Sequence, residues 1–361
     1  MPENTTPILS DVPPVIDTDR VRVYAGDTIQ ILPLLEAGSI DAVVTDPPYG
    51  LEFCGNTWDG TAGFRDSLTG VNTTGMSGGE VFQTWCRTWA GEVFRVVKPG
   101  AHLAVFGGTR MWHRMVTGVE EAGFEIRDQI AWLYSSGMPK SMDLSQAVDK
   151  HLGAVRVDRR VEISDGESVL GRTRTVVSKG TPVTEEAQLW SGWGTGLKPG
   201  FEPVMVARRP LQGSTVQNML TYGTGGIHID ATRYGHNRWP VNACLDEGQA
   251  VALDAMTGTL STESPVSGFF PVFHYGSKAS RGERPRAFGV SHATVKPVSL
   301  MRWLVRLVTP PGGVVLEPFA GSGATIQAAL MEGFRVVAVE KDESYLPLIQ
   351  SRLDTLDAAR M

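Results

Sequence analysis

The alternation of short buried strands with amphipathic helices at both ends of the chain constrains its fold most. From Val21 to residue 152, apolar runs typical of strands alternate with helical patterns. The alternation is lost between residues 153 and about 290, where Gly and Pro recur, and it resumes near residue 291. Such a pattern is typical of a mostly parallel sheet covered by helices on both faces.

The domain boundaries follow from the points where this alternation stops and resumes. We predict an N-terminal tail over 1–20, a first half of the sheet domain over 21–152, an inserted loop-rich lobe over 153–290 and a second half over 291–361. The first half has about four predicted strands and the second only two, so neither half has enough strands for a well-formed sheet of its own. We therefore predict one doubly wound α/β sheet built from both chain ends.

Composition excludes several classes of protein. With 42% hydrophobic and 20% charged residues, the chain is globular rather than disordered or fibrous. It has no apolar run of the roughly 20 residues that a membrane helix needs, and its N-terminus lacks the pattern of a signal peptide. We therefore expect a cytoplasmic protein with no membrane partner. The net charge of −6 argues against a protein that coats nucleic acid without specificity.

The cysteines predict neither a disulfide framework nor a metal site. Cys54, Cys86 and Cys244 are odd in number and never form Cys-x-x-Cys, and the seven histidines lack metal-ligand spacing. We expect no metal, and we assign the three cysteines a structural role.

A glycine-rich turn follows the strand predicted at 314–316. Glu317 ends that strand, and Gly321 and Gly323 flank a serine where doubly wound folds bind nucleotides. The next predicted strand ends in Glu340, which could accept hydrogen bonds from ribose hydroxyls. The third glycine of a dinucleotide fingerprint and the Gly-Lys-Ser/Thr of a P-loop are both missing. The turn therefore fits an adenosine-containing ligand without a pyrophosphate, with a purely structural tight turn as the alternative.

A second loop, Asp46-Pro47-Pro48-Tyr49, follows the strand predicted at 41–45. Each proline restricts the residue before it to extended conformations, so the loop is stiff. It presents a carboxylate, carbonyl oxygens and an aromatic ring. Those groups suit a planar heteroaryl amine, because the oxygens can accept its N–H groups while Tyr49 stacks on the ring. The alternative, a turn with a capping Asp, explains neither the two prolines nor the tyrosine.

The two loops in this order resemble the beta class of amino-group DNA methyltransferases. Segments of the middle region, at 194–210, 222–230, 238–242 and 277–284, resemble phage- and prophage-type members of this group. The resemblance continues in His-Ala-Thr-Val-Lys-Pro at 292–297, similar to an element that precedes the cofactor loop in that family, and in Asp27 of Tyr-Ala-Gly-Asp. It covers about 21–140 and 290–345. Glu317 departs from the family pattern, which usually has Asp there.

The resemblance implies a Rossmann-like methyltransferase fold, S-adenosylmethionine as cofactor and double-stranded DNA as partner, in a bacterial or phage-infected cell. It implies methyl transfer to the exocyclic N6 of an adenine that is flipped out of the duplex. A restriction partner and the oligomeric state stay open, with a homodimer as one option. The catalytic residues that it implies are Asp46, Pro47, Pro48 and Tyr49. The cofactor-binding residues that it implies are Asp27, Asp46, His292, Thr294, Lys296, Glu317, Phe319, Ala320, Gly321, Ser322, Gly323, Glu340 and Lys341.

An exocyclic amine is a poor nucleophile because its lone pair is delocalised into the ring. Hydrogen bonds to Asp46 and to the Pro47 carbonyl would favour a pyramidal nitrogen that aims its lone pair at the sulfonium methyl. The enzyme would then act mostly through positioning and electrostatics. Because Cys54 does not form a Pro-Cys dipeptide, a cytosine-C5 mechanism through it is disfavoured.

Several alternatives remain beside adenine-N6 transfer. Cytosine-N4 transfer requires the same oxygen acceptors for the amine N–H groups, although many enzymes of that type have Ser at the position of Asp46. Enzymes that methylate RNA or protein glutamine usually have Asn at that position, where this chain has Asp46. A non-catalytic DNA-binding protein on the same scaffold and a nicotinamide oxidoreductase are disfavoured by the two loop motifs.

The inserted lobe is the predicted site of DNA sequence recognition. Residues 155–300 hold 16 basic and 13 acidic residues, an excess of +3, and arginines come in pairs such as Arg159-Arg160. A solvated surface is the alternative. The glycine-rich segment 50–79 predicts a long mobile lid, with an idle surface loop as the alternative. For Trp132 and Tyr134 we expect core packing, with lining of a base pocket as the alternative.

Overall fold

The computed structural model describes residues 12–51, 57–135, 137, 141–157, 159–164, 173–178, 180–235, 237–257, 265–273, 285, 289–292 and 294–358. The strands are β1 (Ile16–Asp17), β2 (Val21–Ala25), β3 (Ile40–Thr45), β4 (Val97–Phe106), β5 (Glu125–Leu133), β6 (Arg159–Ser164), β7 (Thr173–Ser178), β8 (Phe201–Arg208), β9 (Ala243–Asp246), β10 (Val272–Phe273), β11 (Val314–Glu317) and β12 (Arg335–Glu340). The helices are α1 (Thr28–Ile31), α2 (Thr61–Ser67), α3 (Gly78–Val96), α4 (Trp112–Glu121), α5 (Leu144–His151), α6 (Glu185–Leu189), α7 (Thr215–Tyr222), α8 (Glu247–Thr257), α9 (Val298–Val308), α10 (Ala324–Met331) and α11 (Leu346–Ala358).

A ten-stranded sheet runs in the order β1-β2-β12-β11-β3-β4-β8-β5-β9-β10. The neighbours from β2 through β4 are parallel, and β8 runs antiparallel between β4 and β5. Strands β11 and β12, from the C-terminal part of the chain, lie between β2 and β3 from the N-terminal part. The predicted doubly wound, mostly parallel α/β sheet built from both chain ends is confirmed.

The central strands contribute to two hydrophobic cores, one on each face of the sheet. Ala42 and Val44 of β3 enter the core that contains α9 and α10, whereas Val43 enters the core that contains α3 and α4. Successive strand side chains point to opposite faces, so every residue of β3 is buried. Both faces are thus filled with apolar side chains, which leaves the ends of the strands for polar groups.

Helix α3 illustrates how local sequence sets an element's bounds. Its N-cap, Ser77, accepts a hydrogen bond from the Glu80 N–H, and the Glu80 carboxylate accepts one from the Ser77 N–H at 2.8 Å. This reciprocal pair satisfies two backbone donors that a helix start otherwise leaves unpaired. The helix therefore begins at Gly78, and it packs Trp85 and Trp89 into one of the two cores.

The compact units differ from the predicted lobe. One unit comprises residues 1–136 and 201–361, and the other comprises 137–200. Strands β8, β9 and β10, predicted as part of the lobe over 153–290, belong to the central sheet. An antiparallel strand such as β8 needs no crossover helix, so the alternation that reveals the parallel strands does not reveal it.

The smaller unit, 137–200, contains α5, α6 and the antiparallel hairpin of β6 and β7. A buried carboxylate ties its parts together. Asp149 of α5 accepts hydrogen bonds from Arg156 at 2.5 Å and from the backbone N–H groups of Val183 and Thr184. Removing this carboxylate would leave a buried guanidinium without its partner.

Within the described ranges, no helix is long and apolar enough to span a membrane. The same part of the chain holds no group of three or more His, Cys, Asp or Glu side chains placed to bind a metal ion. Cys86 and Cys244 are buried, and burial raises the pKa of both thiols. Cys54 lies outside the described residues.

Candidate functional site

The two loops singled out in the sequence meet at the centre of the sheet. Strands β11 and β3 are parallel neighbours in the register Val315 to Ala42 and Leu316 to Val43. Their carboxyl ends therefore lie side by side, and the Thr45 hydroxyl donates a hydrogen bond to Glu317. Helix α3, downstream of β3, packs on one face and α10, after β11, on the other. The chain thus reverses its winding here, which is where open α/β sheets bind ligands.

Asp46 is held by two hydrogen-bond donors. The Tyr49 hydroxyl donates to Asp46 Oδ1 at 2.7 Å, and Lys296 Nζ donates to Asp46 Oδ2 at 2.5 Å. Lys296 also lies 3.1 Å from the Tyr49 hydroxyl. Pro47 is buried and Pro48 half-buried, which fits the stiff loop predicted from the sequence. A residue predicted for the cofactor, Lys296, is therefore bonded to the predicted catalytic carboxylate.

A second carboxylate, Glu202 at the start of β8, joins this cluster. Its Oε2 lies 3.3 Å from Lys296 Nζ and 3.3 Å from the Tyr49 hydroxyl. The Tyr134 hydroxyl donates to Glu202 Oε1 at 3.4 Å. Phe106 closes the other side, with the Lys296 ammonium 4.8 Å from the centre of its ring. One cation thus lies close to two carboxylates and two aromatic rings, those of Tyr49 and Phe106.

The electrostatics of this cluster follow from burial and from the two carboxylates. Burial alone would lower the pKa of Lys296, but Asp46 and Glu202 raise that pKa to about 12, so the ammonium stays protonated. Burial and the same two carboxylates raise the pKa of Tyr49 well above its usual value. Tyr49 therefore remains a neutral hydroxyl, and it can serve as a hydrogen-bond donor and as a stacking surface.

Asp59 fixes the backbone of the Asp46–Tyr49 loop. Its buried carboxylate accepts hydrogen bonds from the N–H groups of Tyr49 at 2.6 Å, Gly50 at 2.8 Å and Leu51 at 3.3 Å. Asp59 ends a short 3-10 turn just before α2. Since charge-assisted hydrogen bonds are stronger than neutral ones, Asp59 fixes the backbone that carries the Tyr49 side chain.

Glu317 is buried at the end of β11. It accepts hydrogen bonds from the hydroxyls of Thr45 and Thr325 and from the Phe319 N–H at 3.0 Å. Burial raises its pKa to about 8 against the lowering effect of these donors. Through these hydrogen bonds the carboxyl group of Glu317 connects the ends of β3 and β11 with the start of α10.

Glu340 lies at the corresponding end of β12 and holds the glycine-rich turn. It accepts hydrogen bonds from the Gly321 N–H at 2.5 Å and from the Asp342 N–H at 2.7 Å. Burial raises its pKa to about 7, while the backbone donors lower it. The Glu340 carbonyl accepts a hydrogen bond from the Gly26 N–H, which joins this turn to the end of β2.

Asp27 and Lys341 meet at the outer end of the site. Asp27 is the N-cap of α1, and its Oδ2 lies 2.8 Å from Lys341 Nζ. The Ser67 hydroxyl, at the end of α2, donates to the same oxygen at 2.5 Å. Segment 57–68 thus contacts both the Asp46–Tyr49 loop, through Asp59, and the outer end, through Ser67.

His292 lies over the glycine-rich turn. A Cβ atom placed on Gly321, whose φ is +50°, would approach His292 Nε2 to 3.0 Å. His292 Nδ1 lies 2.7 Å from the Thr294 carbonyl, and its ring contacts Tyr345 edge-on. Burial lowers the pKa of His292, so the ring is neutral near pH 7.

The remaining residues of the glycine-rich turn pack against the protein interior. Ala320 and Ser322 are buried, and the Ser322 carbonyl accepts a hydrogen bond from Arg352 at 2.7 Å. Gly323 has a φ of +78° and faces α11. Phe319 packs against the two tryptophans of α3.

The structure also tests the residues that the sequence left open. Within 50–79, residues 57–68 form the short turn and α2, with Phe64 in the core, and residues 52–56 lie outside the described residues. Trp132 is buried in the core, as expected. Tyr134 is also buried, but its hydroxyl reaches Glu202.

Sequence reasoning missed Glu202 and Asp59. Glu202 directly precedes the apolar run Pro-Val-Met-Val-Ala, and an acidic residue at the start of an apolar strand is a usable signal. Asp59 stands in a segment rich in Gly and Thr, where no periodic pattern distinguishes it.

Comparisons with known proteins agree with one another. A family model described as DNA methylase, N6_N4_Mtase, matches residues 40–351. The type II methyltransferase M.HindIII of Haemophilus influenzae is 23% identical over 355 residues, covering 92% of this chain and 94% of the relative. The type II methyltransferase M.ScaI of Streptomyces caespitosus is 20% identical over 348 residues, covering 94% of this chain and 84% of the relative. The solved PvuII DNA methyltransferase, cytosine-N4-specific, has a similar fold, with a TM-score of 0.54 and 16% identity over 95% of this chain and 89% of that one.

Proposed function

This chain belongs to the N6/N4 DNA methylase family, and from that premise we propose that it transfers a methyl group from S-adenosylmethionine to the exocyclic N6 of adenine in double-stranded DNA. One observation carries the proposal: the carboxylate of Asp46 and the glycine-rich turn at Gly321 lie at the adjoining ends of two parallel strands, β3 and β11. An amine acceptor and a nucleotide-binding turn are thus neighbours.

The residues at the strand ends fit S-adenosylmethionine. Glu340 keeps acceptor capacity for ribose hydroxyls, since a carboxylate offers about four lone-pair sites and two backbone N–H groups use part of them. Gly321 has no side chain and a φ of +50°, so a ligand can approach the backbone there. We assign Asp27 and Lys341 to the adenine end, and His292 and Glu317 to the methionine end.

When bound, the cofactor supplies a methyl group already activated by a positive sulfonium. The protein then has to position the amine. Asp46 accepts one amine N–H and the Pro47 carbonyl the other, while the ring of Tyr49 stacks on the flipped base. Lys296 donates to Asp46 Oδ2 and so helps to orient the carboxylate.

Asp46 supports adenine as the target, since Asp is the residue that the family prefers for N6 transfer. The fold shared with a cytosine-N4-specific enzyme does not weigh against this choice, because the sequences are only 16% identical. Cytosine presents a similar amine, so the test must identify the product. We expect mass spectrometry of nucleosides from treated, unmethylated DNA to detect N6-methyladenine. N4-methylcytosine without N6-methyladenine would contradict the choice of adenine and leave amine methylation in place.

Sequence recognition is proposed for region 153–290, which contains most of the smaller unit, 137–200. Because β8 is part of the central sheet, an exchange of the whole region would disturb the fold. Replacing only 137–200 with its counterpart from a related enzyme should redirect the methylated site, and a chimera that keeps the original site would contradict a role for this unit. A place in a restriction–modification pair is part of the same proposal, since both relatives are type II methyltransferases.

A further inference from the structure

Both oxygens of Asp46 are already engaged within the protein. Oδ1 accepts the Tyr49 hydroxyl at 2.7 Å, and Oδ2 accepts Lys296 at 2.5 Å. A carboxylate has about four lone-pair sites, so the target amine can join these donors, but it then lies beside them and competes with them for the charge of Asp46. Binding of the amine therefore favours movement of the two donors away from Asp46. The Lys296 side chain is 8% exposed, so its ammonium is largely desolvated, and Tyr49 is half-buried.

Glu202 is placed to receive both displaced donors. Its Oε2 is 3.3 Å from Lys296 Nζ and 3.3 Å from the Tyr49 hydroxyl, so a shift of under about 1 Å brings either donor to ordinary hydrogen-bond length. Its other oxygen is held by Tyr134 at 3.4 Å. Glu202 lies opposite Trp132 in the pairing of β8 with β5, so the sheet fixes the position of its backbone.

We propose that Glu202 is a positioning residue that receives the Lys296 ammonium and the Tyr49 hydroxyl when the target amine takes Asp46. This inference rests on the proposed amine methylation. Without Glu202, freeing Asp46 would leave a buried ammonium and the hydroxyl of a half-buried tyrosine without a carboxylate acceptor, which is costly. Lys296 would then stay on Asp46 and compete with the base.

The proposed role depends on negative charge and not on side-chain shape. Glu202→Gln preserves the shape but removes the charge, whereas Glu202→Asp preserves the charge on a shorter stem. If Glu202 only packed or shaped the site, Gln would be the better replacement. If it receives the ammonium, Asp would be the better one.

The experiment compares these variants in single-turnover methylation of unmethylated DNA, with enzyme and S-adenosylmethionine at saturation. We expect Glu202→Gln to slow the reaction about tenfold or more. We expect Glu202→Asp to be faster than Glu202→Gln, and calorimetry to show S-adenosylmethionine affinity unchanged in both. The matched control is Glu125→Gln, which removes a carboxylate paired with Arg208 at the other end of β8 and should leave the rate unchanged.

Two results would overturn the role of Glu202: a Glu202→Gln rate within threefold of wild type, or a Glu202→Gln rate above that of Glu202→Asp. Thermal melting checks folding, and Glu202→Ala takes the place of Glu202→Gln if the latter does not fold, with the same required order. Failure of the wild-type enzyme to methylate DNA would instead refute the proposed function.

Discussion

Replacing Asp59 with Asn should slow methylation through the backbone of the Asp46–Tyr49 loop. Asp59 is 2% exposed, and its Oδ1 accepts the N–H groups of Tyr49 and Gly50. Asn can keep an oxygen at that position. Its amide nitrogen, however, would face the Leu51 N–H, which now lies 3.3 Å from Oδ2, so a donor would meet a donor.

The expected magnitude follows from these contacts. Hydrogen bonds to a charged group contribute about 1.5–3 kcal/mol each, and the substitution removes the charge from two bonds and abolishes a third. Water can reach the half-buried loop and replace some of the lost hydrogen bonding. We therefore expect the substitution to destabilise the active conformation of the loop by about 2 kcal/mol. At 1.36 kcal/mol per tenfold change, this corresponds to a rate about 30-fold lower.

The assay is single-turnover methylation, with calorimetry for S-adenosylmethionine and thermal melting as companion measurements. We expect the rate to fall while cofactor affinity stays near the wild-type value, because Asp59 contacts the catalytic loop and not the glycine-rich turn. Asp66→Asn is the matched control, since Asp66 is an exposed residue of α2, the helix that follows the turn of Asp59. A rate for Asp59→Asn within threefold of wild type would refute the positioning role.

Three further substitutions test other parts of the site. Asp46→Ala removes the amine acceptor, and we expect methylation to be lost and cofactor binding retained; substantial residual methylation would contradict the mechanism. Gly321→Val adds a Cβ that would approach His292 Nε2 to 3.0 Å at a φ of +50°, so calorimetry should show S-adenosylmethionine affinity reduced at least tenfold. In the cofactor-free protein, burial raises the pKa of Glu340 from 4.5 to about 7, so its contribution to stability is present below pH 4.5 and is lost as pH rises through 7. Between pH 5 and pH 8, urea unfolding should therefore show the free energy of unfolding of the wild type falling by about 2 kcal/mol relative to that of Glu340→Gln. If the difference between the two free energies did not change with pH, this linkage would be excluded.

The parts of the fold that local pattern encodes could be predicted from the sequence. Strands β3, β11 and β12 are buried on both faces, so they appear as continuous apolar runs, and each is followed by a polar or glycine-rich loop at the edge where ligands bind. The predicted sheet built from both chain ends follows from that pattern together with the rule that parallel strands need crossover connections.

The contribution of β8 could not be predicted in the same way. Its place between β4 and β5 depends on long-range antiparallel pairing, which leaves no helical crossover in the sequence. Glu202 reaches the site only because of that placement. Likewise, the bond between Lys296 and Asp46 joins residues 250 positions apart, and their distance is set by the packed sheet and not by any local spacing.

The strand order also determines when the enzyme becomes competent during its synthesis. Strand β2 emerges from the ribosome early, yet β12, which is its parallel neighbour, begins 310 residues later at Arg335, counted from Ala25. Strand β3 can pair with β4 early, but its other edge stays unpaired until β11 has been synthesised. Pairings of such large sequence separation form slowly, and the nascent chain exposes unpaired strand edges meanwhile. Because the turn at Gly321 lies next to Asp46 only after β11 has paired with β3, a ribosome-bound chain that lacks the last strands holds the proposed amine acceptor without the proposed nucleotide-binding turn and should be inert.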